Sequence, residues 1–273
     1  MQRTTFLIRG KDPRNAYLAK LLQADGYHVI LQEPMPDYEA RAAILPVPTV
    51  LVLELNTPVP SLHAALESLQ PGSACVAGRA GAAELKFAAN KGVFYFNLLD
   101  DDAFCIRNAI PTAEGTLSIA IENTSYTIHS ARLTVLGYGR VGKAVARLFR
   151  ACGCAVSVVS REDAELAWAY ANGCRAVNLR ELPDALDGAD IVVNTVPARL
   201  LTADMLSRVK KDALLIEVAT GTENIDLAAA DALGLTVIKA GSLPGNTAPA
   251  TAALYMKDAI LDCLKNRGEF TLE

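Results

Sequence analysis

Histidine and tryptophan are scarce in this chain of 273 residues, with three of the first and one of the second. His28, His63 and His129 share no local spacing that would build a metal site, so no metal centre is expected. The six cysteines, at 75, 105, 152, 154, 174 and 263, form no C-x-x-C pair. They read as small core residues of a protein in a reducing compartment, "CGC" at 152–154 being at best a weak ligand signal. No apolar run reaches 18 residues, and "MQRTTFLIRG" reads as a first strand without a signal-peptide profile. A cytoplasmic protein with no membrane segment is therefore expected. Basic blocks are absent and the formal net charge is −4, which disfavours nucleic acid. The chain also lacks a Ser-His-acid order, a P-loop lysine and a His-Asp couple suited to a hydroxy-acid dehydrogenase.

What is present is core-forming material, 51% hydrophobic against 21% charged residues, in an alternating pattern. "TTFLIRG", "YHVIL", "AAILPVP", "ACVAG" and "VFYFNL" read as strands. "RNAYLAKLLQADG", "SLHAALESL" and "AAELKFAANKG" read as helices between them. Short strands without inside-outside alternation indicate a parallel sheet covered on both faces. A second series starts near residue 130 with "ARLTVLGYG", "RVGKAVARLFRACG" and "AVSVVS". It continues through a helix from Glu162 to about Ala171 into "ADIVVNTVP", "ALLIEVA" and "LTVIKAG".

The expected fold is α/β, with two doubly wound parallel-sheet (Rossmann-like) domains joined by bridging helices. An N-terminal substrate-side domain covers 1–110 and a bridging helix 111–127, with Pro111 in its first turn. A dinucleotide domain covers 128–247, and a last helix over 248–265 packs back on the first domain.

"GYGRVG" sets Gly137, Gly139 and Gly142 in G-x-G-x-x-G order between a strand and a helix. The first glycine permits the tight turn, the second admits a pyrophosphate, and the third lets the helix press on the sheet. Tyr138, Arg140 and Val141 lie in the same loop, beside a helix start whose free N–H groups favour phosphate. About twenty residues on, the position of an acid for the NAD ribose, the strand instead ends in Ser160-Arg161. These two residues favour the 2′-phosphate of NADP, with NAD as the alternative. A structural reading stands beside it: Ser160 to Asp163 fits an S-x-x-D helix cap.

Asn194, Thr195, Val196 and Pro197 follow another strand and are expected to flank the ribose-nicotinamide part, or to form an Asx or Ser/Thr turn. Thr112 and Glu114, placed near the start of the bridging helix, are the candidate catalytic residues; there an acid also suits the helix dipole. Arg14 begins a helix, where a cation is unhelpful unless an anion sits nearby, and is a candidate carboxylate clamp. Ser242 and Asn246 are further candidate substrate contacts.

"PTAEG", "TIH", "GYGRVG", "NTVP" and "SLPG", in this order, resemble the dipicolinate synthase family, in its A-type subunit, over most of residues 105–255. The resemblance implies NADP-dependent oxidation of dihydrodipicolinate, or of its hydroxylated precursor, to dipicolinate. It also implies a flavoprotein-like B-type partner subunit, a small anionic dicarboxylate substrate, and a place in the mother cell of a sporulating bacterium. A homodimer is compatible with it. The chain departs from the family's pattern at "RGKDPR", which keeps Asp12 and Arg14, and at Glu217 and Asn246. Another imine or hydroxy-acid oxidoreductase, or a non-catalytic nucleotide-binding subunit, stands as the alternative.

Overall fold

The computed structural model describes residues 4–32, 49–221 and 223–267. They form two compact units, residues 1–108 with 248–273, and residues 109–247.

The first unit is a five-stranded parallel sheet. Strand β1 (Thr5–Arg9) leads into α1 (Arg14–Ala24) and β2 (His28–Gln32). Then follow β3 (Thr49–Val52), α2 (Val59–Ser68), β4 (Ala74–Ala77), α3 (Ala82–Asn90) and β5 (Phe94–Asn97). The order β2-β1-β3-β4-β5 reverses direction between β1 and β3, the doubly wound arrangement of flavodoxin type. β3 and β4 are buried at every position, which is why their sequences carry apolar runs rather than alternation. The expected strand "AAILPVP" lies outside the described residues; the strand seen beside β1 is its successor, Thr49–Val52.

A long helix, α4 (Asp102–Glu122), runs through the boundary between the units. The second unit continues with β6 (Arg132–Leu136), α5 (Arg140–Ala151), β7 (Ala155–Ser160), α6 (Asp163–Ala171) and β8 (Arg175–Asn178). After these come α7 (Leu182–Leu186), β9 (Ile191–Asn194), α8 (Ala203–Leu206) and β10 (Leu214–Glu217). α9 (Leu227–Ala232), β11 (Thr236–Lys239) and α10 (Leu243–Thr247) complete the unit. Its order, β11-β10-β9-β6-β7-β8, is the six-stranded 3-2-1-4-5-6 arrangement read from the other edge. The switch point lies between β6 and β9, so a ligand belongs above their carboxyl ends.

Helix α11 (Pro249–Arg267) belongs to the first unit. Its Ala253, Met256, Ile260 and Leu264 share a core with Phe6, Ile8, Leu18 and Leu22. Each such large side chain contributes about 1.5–3 kcal/mol by leaving water.

Three local expectations are corrected. Pro111 does not begin a helix: α4 starts nine residues earlier, where the Asp101 carboxylate accepts the Phe104 N–H at 2.8 Å. Proline inside a helix removes one backbone bond; burial of Phe104, Ala109, Ala113 and Ala120 holds the helix across it. Thr112 and Glu114 therefore sit in mid-helix, and the dipole argument for Glu114 falls away. Strand β8, short and half exposed, carried too little apolar pattern to be seen in the sequence. Finally, the N-cap position of α6 falls at Glu162, whose side chain makes no cap bond, rather than at Ser160.

Candidate dinucleotide site

The loop between β6 and α5 is held by constraints that differ from glycine to glycine. Gly137 has φ +89°, and a Cβ there would lie 2.7 Å from Val196 Cγ2 and 2.8 Å from Thr195 Oγ1. A Cβ at Gly142 would meet the Gly137 carbonyl oxygen at 2.2 Å, so helix and loop touch backbone to backbone. Gly139 is different. Its φ of −71° suits any residue, and a Cβ there would meet nothing within 4 Å. The fold needs Gly137 and Gly142, whereas Gly139 keeps open a space that no atom of the described residues uses.

That space lies before the start of α5, which has no side-chain cap and no acidic residue in its first turn. Its first N–H groups thus lack a partner from the helix itself, the setting that favours a phosphate. A pocket of about 590 Å³ opens here. Gly137, Tyr138, Gly139, Arg140 and Val141 line it from the first loop. Val159 to Glu162 and Glu165 line it from the end of β7, and Thr195 to Ala198 from the end of β9. The residues present fit a dinucleotide diphosphate.

The two loops are tied together. The Leu136 carbonyl accepts both the Thr195 N–H at 3.0 Å and the Thr195 hydroxyl at 2.7 Å. Asn194, expected at the ligand, is instead 0% exposed. Its Nδ2 donates to the Val196 carbonyl at 3.1 Å and to the two Glu217 oxygens at 3.2 and 3.0 Å, and its Oδ1 accepts the Val196 N–H at 3.1 Å. This is the Asx-turn alternative, and it makes Asn194 a support beneath Thr195–Pro197 rather than part of the wall. Burial raises the carboxyl pKa of Glu217, against the lowering effect of bonds from Asn194, the Ala219 N–H and Asn224.

At the adenosine end, the Ser160 hydroxyl accepts the Glu162 N–H at 3.1 Å and donates to Glu165 Oε2 at 2.5 Å. Arg161 Nε donates to Glu162 Oε1 at 3.0 Å, with an exposed side chain. Both groups expected to receive a 2′-phosphate are thus engaged by carboxylates. Glu165 was not anticipated from the sequence; as residue i+5 from the strand end it sits one turn beyond the usual position for a ribose acid.

The candidate substrate residues fall in two places. A Cβ at Gly115 would lie 2.4 Å from Thr247 Oγ1 and 2.9 Å from Leu243 Cδ2, so α10 rests directly on α4. This sets buried Thr112 and exposed Glu114 on the helix against which the Ser242–Asn246 turn packs. Ser242 adopts φ +55°, a left-handed conformation costly for a residue with a side chain. The N–H groups of Gly245 and Asn246 bond to the Ser242 carbonyl at 3.1 and 3.2 Å, which removes them as ligand donors. Arg14 lies in the first unit, 6% exposed. Its anion is its own neighbour: Nε and Nη2 bond to the Asp12 carboxylate at 2.8 and 2.5 Å.

Among the described residues no cluster of acids, histidines and cysteines suits a metal, and no helix is long and apolar enough to cross a membrane.

Fold and site together define a protein of the NAD(P)-dependent dehydrogenase type, whose second unit is a nicotinamide-dinucleotide domain. Residues 112–241 match the family described as D-isomer specific 2-hydroxyacid dehydrogenase, NAD binding domain. More particularly, the chain is similar to the A-type subunit of dipicolinate synthase from Bacillus subtilis (strain 168), 36% identical over 163 residues. That match covers 60% of this chain and 55% of the relative. The crystal structure of the corresponding dipicolinate synthase chain from Bacillus halodurans is 25% identical, with a TM-score of 0.80 over 96% of this chain and 97% of that one. Escherichia coli D-lactate dehydrogenase shares the fold at 14% identity, with a TM-score of 0.68 over 98% of each chain.

Proposed function

We propose that this chain oxidises a small, partly reduced pyridine dicarboxylate of the dihydrodipicolinate kind to its aromatic product. The observation that carries the reading is the space kept open at Gly139 before an uncapped helix, in a chain similar to the A-type subunit of dipicolinate synthase. A bound nicotinamide dinucleotide supplies the hydride acceptor. Gly137, Gly139 and the start of α5 hold its diphosphate, and Thr195, Val196 and Pro197 form the wall beside its ribose. Arg14, Ser242 and Asn246 contact the substrate; Arg14 turns its guanidinium from Asp12 to a substrate carboxylate, which offers the same bidentate partner. Thr112 orients the ring, and Glu114 takes the proton that leaves as the ring becomes aromatic. If the substrate enters as the hydroxylated tetrahydro form, water departs first.

By the same likeness, a flavoprotein-like second subunit is the partner and the mother cell of a sporulating bacterium the setting. NADP is the cofactor if Arg161 leaves Glu162 for a 2′-phosphate. NAD is the competing reading, favoured by the carboxylate of Glu165 at the adenosine end.

A 2-hydroxy-acid dehydrogenase is a second reading, favoured by the family matched over residues 112–241. Against it, His129, the one histidine of the second unit, packs against Gly153 between α5 and β7, away from the strand ends that carry the site.

The test is turnover of dihydrodipicolinate with either dinucleotide, with and without the partner subunit, followed by formation of the aromatic product. Glu114→Gln should lower kcat at least ten-fold and leave dinucleotide affinity unchanged, because it removes a proton acceptor and no cofactor contact. Unchanged turnover in that variant removes Glu114 from the mechanism. Turnover of D-lactate without any of dihydrodipicolinate selects the second reading.

A further inference from the structure

We infer that Glu165 reads the adenosine ribose and makes this site selective for NAD over NADP. The inference rests on the dinucleotide reading of the pocket and goes beyond it.

A 2′-phosphate needs donors and positive charge, whereas a 2′-hydroxyl needs an acceptor. At the end of β7 the hydroxyl donor of Ser160 is already spent, and Arg161 gives its Nε–H to a carboxylate. Ser160 has one hydroxyl proton and gives it to Glu165 Oε2 at 2.5 Å. The same hydroxyl oxygen accepts the Glu162 N–H at 3.1 Å. Arg161 directs its Nε to Glu162 Oε1 at 3.0 Å. Four charged side chains line the pocket, Arg140 from the glycine loop and Arg161, Glu162 and Glu165 beyond β7, so two carboxylates and one guanidinium stand at the adenosine end. A doubly charged phosphate would meet Glu165 with no hydroxyl donor in between.

A ribose hydroxyl meets the opposite situation. The Ser160 bond leaves the second Glu165 oxygen as an acceptor, and that bond also fixes the carboxylate's direction. The half-buried position of Glu165 limits competition from water. The acid that the end of β7 lacks is thus supplied by the first turn of α6. Ser160 serves as its positioning residue, and Arg161 as an exposed partner of Glu162.

The experiment is parallel titration of the full chain with NAD and NADP by fluorescence or calorimetry. Wild type is compared with Glu165→Gln, Glu165→Ala and Arg161→Ala, and thermal melting checks the fold of each. The wild-type chain should bind NAD about ten-fold or more tightly than NADP, as expected for a charge-assisted hydrogen bond present for one ligand only. Both Glu165 variants should lose that preference, through weaker NAD and stronger NADP binding. Arg161→Ala should leave NADP affinity within about two-fold, as for an exposed ion-paired side chain. Tighter NADP than NAD binding in wild type overturns the inference while leaving the dehydrogenase reading intact. So does a ratio unchanged in Glu165→Gln and Glu165→Ala. Binding of neither nucleotide overturns both.

Discussion

In each unit a helix follows the first strand across a short turn, yet the two helix starts are finished in opposite ways. At α1 the chain supplies its own anion. Asp12 accepts the Arg14 N–H at 2.9 Å and pairs with the Arg14 guanidinium, while Glu54 accepts the N–H of Lys11. At α5 no side chain caps the helix, and Gly139 faces open space. The same topology thus gives one start satisfied from within and another left for a ligand. The difference lies in two or three residues of the turn, not in the sheet behind them.

The comparison can be broken most forcefully at Asp12. Asp12→Ala leaves Arg14 buried without its partner and should cost about 3 kcal/mol, read as a fall in denaturation midpoint. A loss below about 0.5 kcal/mol would mean that α1 does not depend on an internal anion.

At α5 the glycines should separate. Gly142→Ala forces a Cβ against the Gly137 carbonyl and should cost about 1–3 kcal/mol. Gly139→Val places its side chain in open space, so stability should change by about 0.5 kcal/mol or less while dinucleotide binding is lost. Binding retained in Gly139→Val would show that the open start is not where the diphosphate lies.

A smaller effect should appear on titration, and its sign differs between the two units. Burial alone would raise the pKa of Asp12, but the hydrogen bonds and charge of Arg14 outweigh it and hold the carboxyl below its ordinary value. Its contribution is present above about pH 4, the unfolded value, and fades as pH falls through the lower folded value. Glu217 is raised by burial, so its folded form holds a proton over a range where the unfolded chain has lost it. That contribution is present below about pH 4.3 and is lost as pH rises through the folded value. Melting curves from acid to neutral pH should show a flatter upper range in Glu217→Gln and a flatter lower range in Asp12→Asn. Parallel profiles in all three proteins would rule the pair out as sources of pH dependence.

Much of this architecture was legible in the residues. Apolar runs such as "TFLIR" and "IVVN" mark buried parallel strands because burial on both faces leaves no room for polar alternation. β8 escaped because it is an edge strand, half exposed, whose residues need not be apolar. The start of α4 is hidden in the sequence because proline is favoured in a first turn, and the true cap, Asp101, lies ten residues before Pro111. At the site, the glycine loop was plain while the fate of the polar side chains was not. Asn194 has the composition of a ligand contact and the structure of a strut. Ser160 has that of a phosphate donor, and its proton is already given away.

The residue pattern alone determined the two parallel sheets, the turn at Gly137 and the place where a helix begins without a cap, since strand periodicity and backbone freedom are local properties. Only the tertiary structure decided which partner each polar group finds. Thr195 meets the Leu136 carbonyl 59 residues away, and Asn194 meets Glu217 across 23. A hydrogen bond is made or lost within an ångström, and it is the packing of strands from distant parts of the chain that sets that ångström.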